Sequence, residues 1–152
     1  MVNRVALDTS VIIEYIDENS KYRDQAKAVF SAILSGFLEA LVPHPVLVEA
    51  FYVSARIYRE VGLEDYMDRA VSLVEWLYRH PFITVLDGGL NMALRAGEIK
   101  LEYGLALTDC YVLAASKIYG CKALFRKPER EILKRIDLLR KNFGIIFLSD
   151  YA

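Results

Sequence analysis

Two cysteines, two histidines and four prolines are all that 152 residues hold of these types, and each scarcity closes off a class of function. Cys110 and Cys121 do not form a Cys-x-x-Cys pair and nothing around them suggests an oxidising compartment, so they read as ordinary buried thiols. His44 lies between prolines and His80 precedes Pro81, which leaves no ligand spacing for zinc. Any metal must therefore be held by oxygens. No apolar run approaches the roughly 20 residues that span a bilayer, and the N-terminus reaches Asp8 too soon for a signal peptide. The expectation is a cytoplasmic protein with no membrane partner. A Gly-x-x-x-x-Gly-Lys phosphate loop and a Gly-x-Ser-x-Gly elbow are also missing.

What is present is apolar. Hydrophobic residues make up 55% of the chain and the mean hydropathy is +0.23, richer than an ordinary soluble domain. The length suits one domain, residues 1–152, and part of the apolar surplus can cover a subunit or partner interface. The net charge of -1 conceals a basic stretch. Residues 122–141 carry eight basic side chains against Glu129, Glu131 and Asp137, a local excess of five. Such a stretch suits a phosphate backbone, and equally a solvated helix face.

Residues 5–7, Val-Ala-Leu, form a short apolar run without alternation, as in a parallel strand covered on both faces. Asp8 interrupts it. Thr9 or Ser10 can cap a helix with Val11, Ile12, Ile13 and Ile16 on its apolar face; capping is the structural alternative for Asp8 itself. Strands are expected again at 37–42, 82–86, 123–125 and 144–148, with helices at about 22–34, 45–59, 64–79, 90–101, a stretch opening around Asp109 and stopped by Gly120, and 128–140. This alternation predicts a three-layer α/β/α domain with a mostly parallel five-stranded sheet.

Three acids stand where such a sheet places ligands, at the carboxyl ends of strands or the first turns of following helices: Asp8, Glu49 and Asp109. Glu49 shares a helix face with Val46, Ala50 and Val53, an apolar setting in which a carboxylate needs a reason. Asp109 also suits a helix N-terminus electrostatically. Leu-Asp-Thr-Ser at 7–10, the Pro-x-x-x-x-Glu-Ala context around Glu49, and Leu-Thr-Asp-Cys-Tyr-Val-Leu-Ala-Ala at 107–115 together resemble the acidic motifs of PIN domains, particularly VapC-type toxins. The resemblance covers essentially the whole chain.

It implies a metal-dependent endoribonuclease, the toxin of a type II toxin–antitoxin pair. Asp8, Glu49 and Asp109 would hold Mg2+ or Mn2+, supported by Thr9, Ser10 or Thr108. The resemblance also implies an RNA substrate, a cognate antitoxin and a homodimer. Carboxylate chemistry agrees independently: two such charges about 4 Å apart repel by roughly 4 kcal/mol at an effective dielectric near 20 unless a proton or cation intervenes. One departure follows the fourth strand. Where the family places a further acid, this chain reads Phe125-Arg126-Lys127, with Lys127 at the acid's place; Glu129 is the nearest substitute and Glu131 the next. The alternative function is therefore a catalytically weakened PIN domain that binds RNA or a protein.

Overall fold

The computed structural model describes residues 3–152. Its five short apolar runs become β1 (Asn3–Leu7), β2 (Leu38–Pro43), β3 (Ile83–Leu86), β4 (Lys122–Phe125) and β5 (Ile145–Phe147). They form one sheet in the order β3-β2-β1-β4-β5, and every pairing is parallel. Eight helices connect them: α1 (Thr9–Ile16), α2 (Arg23–Leu34), α3 (His44–Glu60), α4 (Tyr66–Arg79), α5 (Leu90–Tyr103), α6 (Leu107–Tyr119), α7 (Arg130–Lys134) and α8 (Ile136–Asn142), and a 3-10 turn, Leu148–Tyr151, closes the chain.

Parallel strands need crossover connections, and these are right-handed almost without exception. The chain steps from β1 to β2 to β3 in one direction, then returns past β1 to β4 and β5. That reversal places α1 to α4 over one face and α5 to α8 over the other. The central strands are therefore buried from both sides: Val5, Ala6 and Leu7 of β1 and Ala123, Leu124 and Phe125 of β4 are nearly inaccessible. α6, with Val112, Leu113, Ala114 and Ala115 fully buried, packs on β1, β2 and β4; its alanines allow a close approach. Opposite it, Phe30 of α2 stacks on Tyr15 at 4.2 Å and leans on Trp76 of α4.

Gly104 and Gly120 end α5 and α6 in the left-handed conformation, at φ of +68° and +63°, as the sequence pattern led one to expect. Three expectations need correction. The cap of α1 is Asp8 itself, whose side chain accepts a hydrogen bond from the Ser10 amide, and not Thr9 or Ser10. The expected helix over 128–140 is two helices, broken at Arg135, where φ is -120° and ψ is 18°. Only Ile132 and Leu139 of these two helices are fully buried, too little apolar surface to hold a continuous rod against the sheet. Cys110 is buried, but Cys121 is only partly so.

Candidate active site

β1 and β4 are the neighbours from which the chain departs in opposite directions, and in open α/β sheets that switch point opens a crevice at the carboxyl ends of the strands. Asp8 sits at this point, its amide donating to the Leu124 carbonyl of β4 at 3.0 Å. Its carboxylate is buried and receives two bonds from Ser10, 3.1 Å from the amide and 2.5 Å from the hydroxyl. Capping and siting are thus one arrangement, since the bonds that start α1 also fix the carboxylate's direction. Burial raises the Asp8 carboxyl above its ordinary pKa; the Ser10 bonds oppose this, and the charge of Glu49 adds to it.

Glu49 reaches the crevice from α3. Its Oε1 accepts the Thr9 hydroxyl at 2.8 Å and its Oε2 faces the Tyr52 hydroxyl at 3.4 Å. Asp109, in the first turn of α6, is partly buried, and among the described residues no hydrogen bond reaches its carboxylate. Its pKa is pushed up to about 7, first by burial, then by the charges of Asp8, Glu49 and Glu129, with Lys100 opposing. Four acids from four separate stretches thus share one electrostatic neighbourhood. Glu131 does not join them; it is exposed and lies 3.9 Å from Lys134.

Thr9 and Ser10 support the acids as expected, whereas Thr108 makes no side-chain hydrogen bond among the described residues. Sequence reasoning missed Glu14 and Arg126. Glu14 is buried on α1, with Oε2 accepting the Tyr22 amide at 2.8 Å and Oε1 3.4 Å from the Arg126 guanidinium. The signal was present: Glu14 follows Val11, Ile12 and Ile13 on a helix too apolar to leave it in water. Lys127, at the place of the expected acid, is exposed. A cavity of about 1240 Å3 lies between α2 and the face of β1, β4 and β5, and none of the four acids lines it.

A family model, the PIN domain, matches residues 5–138. The chain belongs to the PIN-domain family. No curated protein matches it by sequence. Among solved structures, VapBC2 from Rickettsia felis, bound to a DNA fragment from its promoter, superimposes with a TM-score of 0.66 at 11% identity, covering 95% of this chain and 98% of that one. VapC20 of Mycobacterium tuberculosis, a toxin that cleaves the sarcin-ricin loop, gives 0.62 at 16% identity over 78% and 86%. FitAB bound to an IR36 DNA fragment gives 0.57 at 13% over 95% and 94%. At such identities these PIN-domain proteins establish the fold.

Whether the acids suit a metal ion is a matter of donor chemistry. Among the described residues no three His, Cys, Asp or Glu side chains stand close enough to form a finished cage. The donors are all carboxylate oxygens, and Asp109, lifted to about 7 first by burial, is raised further by the charges of Asp8, Glu49 and Glu129. Such a set fits a hard divalent ion held by one or two carboxylates and its own water, the usual manner of Mg2+.

Proposed function

We propose that this PIN domain, acting as one unit over residues 1–152, is a divalent-metal-dependent endoribonuclease and the toxin of a type II toxin–antitoxin pair. The observation that carries the proposal is the convergence of Asp8, Glu49 and Asp109 on the β1–β4 switch point in a chain of this family. Asp8 and Asp109 are the direct ligands in this reading, and Glu49 either joins them or orients the attacking water. Mg2+ or Mn2+ bound there would supply an activated water and neutralise charge on the leaving oxygen of a phosphodiester.

The chain's own residues do the rest. Ser10 holds Asp8 through a single oxygen, Oδ2. Thr9 keeps Glu49 from swinging out of the crevice. Asp109, whose carboxylate accepts no hydrogen bond among the described residues, is free to give up its proton when a cation approaches. The exposed Lys127 and Arg130, beside the site, present positive charge to an RNA backbone. That same exposed lysine favours the second reading, a PIN domain that binds RNA or a protein with weakened turnover. Site of action in the cytoplasm, a homodimer and a cognate antitoxin belong to the same proposal.

The test is cleavage of RNA by the purified protein with Mn2+, Mg2+ or EDTA, beside Asp8→Asn and Asp109→Asn. Metal-dependent cleavage that both substitutions remove is the expected result. Cleavage unchanged by both would refute the assigned centre. No cleavage by a folded protein that binds RNA in a salt-sensitive manner would favour the second reading.

A further inference from the structure

α3 brings more than Glu49 to the mouth of the crevice. Side chains four apart are neighbours on a helix surface, so Val48, Tyr52 and Arg56 form a strip along α3, and Tyr52 also stands one turn beyond Glu49. All three are exposed, Val48 by 51% and Tyr52 by 47%, while Val46, Ala50 and Ser54 on the other side of the helix are buried. Arg56 makes no ion pair among the described residues.

A singly exposed tyrosine needs no explanation of its own. This one is tied to the site. Its hydroxyl donates to Oε2 of Glu49 at 3.4 Å, and Oε1 of the same carboxylate accepts the hydroxyl of Thr9, the residue next to Asp8, at 2.8 Å. The bond to Glu49 gives the phenol a direction, and nearly half of the residue still faces solvent. A phosphodiester seated at the acids has a base on either side of it, within one nucleotide. Proteins hold unpaired bases by stacking them on aromatic rings, beside cations that take the neighbouring phosphates. Tyr52 supplies the ring, and Arg56, four residues and about 6 Å further along the helix, supplies the cation.

We propose that Tyr52 is a substrate-binding residue: an unpaired base next to the scissile phosphate stacks on its ring, and Arg56 takes a phosphate of the same strand. The inference rests on the ribonuclease reading of the site. It makes the RNA single-stranded where it meets α3.

The experiment is titration of short, fluorescently labelled RNA with cleavage-deficient Asp8→Asn protein in Mg2+, read by anisotropy, with thermal unfolding to confirm that each variant folds. Adding Tyr52→Leu keeps an apolar side chain and removes the ring. It is expected to weaken binding of single-stranded RNA roughly 5- to 150-fold, the range that loss of one base–aromatic stack produces. Tyr52→Phe keeps the ring, loses only a long hydrogen bond, and is expected to stay within about threefold. Tyr78→Leu removes an equally exposed ring from the last turn of α4 and is expected to stay within about twofold. Arg56→Ala is expected to lower the log-log salt slope of binding by about 0.7; an unchanged slope overturns the part given to Arg56. An abasic nucleotide moved along the RNA finds the stacked base: at one position it should cost about as much as Tyr52→Leu does, and little more when added to Tyr52→Leu.

A Tyr52→Leu protein that binds single-stranded RNA as tightly as its Asp8→Asn parent overturns the proposal and leaves the strip to a protein partner. So does the absence of any abasic position coupled to residue 52, or an equal loss on a fully paired duplex. In each of these cases RNA still binds, so the ribonuclease reading stands and only the role of Tyr52 falls. A folded parent protein that binds no RNA at low salt overturns both.

Discussion

Asp109→Asn should make the metal-free protein more stable at alkaline pH while abolishing its activity. The Asp109 carboxyl is lifted from 3.8 to about 7 by burial and by three neighbouring acids. A group whose folded pKa lies above its unfolded value contributes stability that is fully present below the unfolded pKa and lost as pH rises through the folded one. For Asp109 that window runs from about 4 to about 7. A shift of about 3 units at ~1.4 kcal/mol each sets a ceiling of roughly 4 kcal/mol. Asp109 is only partly buried, so solvent screening reduces this to roughly 1–3 kcal/mol. Asparagine has nearly the same shape and does not ionise, so the variant escapes the loss. For a chain of this size each kcal/mol moves Tm by roughly 2–4 °C. In EDTA at about pH 8.5 the variant should therefore melt several degrees above wild type, and at about pH 4.5 the two should nearly coincide. Saturating Mg2+ at the higher pH should raise the wild type and not the variant. Thermal unfolding followed by circular dichroism decides it. A variant less stable at both pH values would refute the reasoning, showing that Asp109 is held by favourable contacts and not strained by like charge.

Thr9→Val keeps the buried shape and removes the donor to Glu49; metal-dependent RNA cleavage should fall 10- to 100-fold while urea stability changes by only about 1 kcal/mol. Ser10→Ala removes the partner of both Asp8 and the Arg126 amide and should cost about 1–3 kcal/mol in urea unfolding; an unchanged midpoint would mean that water replaces the hydroxyl. Leu113→Ala, in the fully buried centre of α6, should cost about 2–5 kcal/mol by the same measurement. In a cleavage-deficient Asp8→Asn background, Lys127→Ala and Arg130→Ala should each lower the salt dependence of RNA binding by about 0.7 in the log-log slope, as loss of one phosphate contact on a single strand does; no change in slope would place the RNA elsewhere.

Sequence alone determined the fold class and singled out Asp8, Glu49 and Asp109 as candidates, because the signals that carry them are local. Val5 to Leu7 read as a buried strand from three adjacent apolar residues, Gly104 and Gly120 as helix ends from their freedom to adopt positive φ, and Glu49 as anomalous from its apolar helix face. The order of the acidic motifs along the chain was likewise legible without knowing where any of them points. What only the tertiary structure decided involves residues brought together across long stretches of chain. Thr9 with Glu49, Ser10 with the Arg126 amide, and Glu14 with Arg126 join positions 40, 116 and 112 residues apart, and no periodicity reports such pairings. The break at Arg135 and the exposure of Lys127 were decided in the same way, by how much apolar surface the sheet offered to the end of the chain. A strand or a cap is set by a few neighbouring side chains and the backbone they share. A pKa near 7 on Asp109 is set by charges that converge only when the sheet is complete.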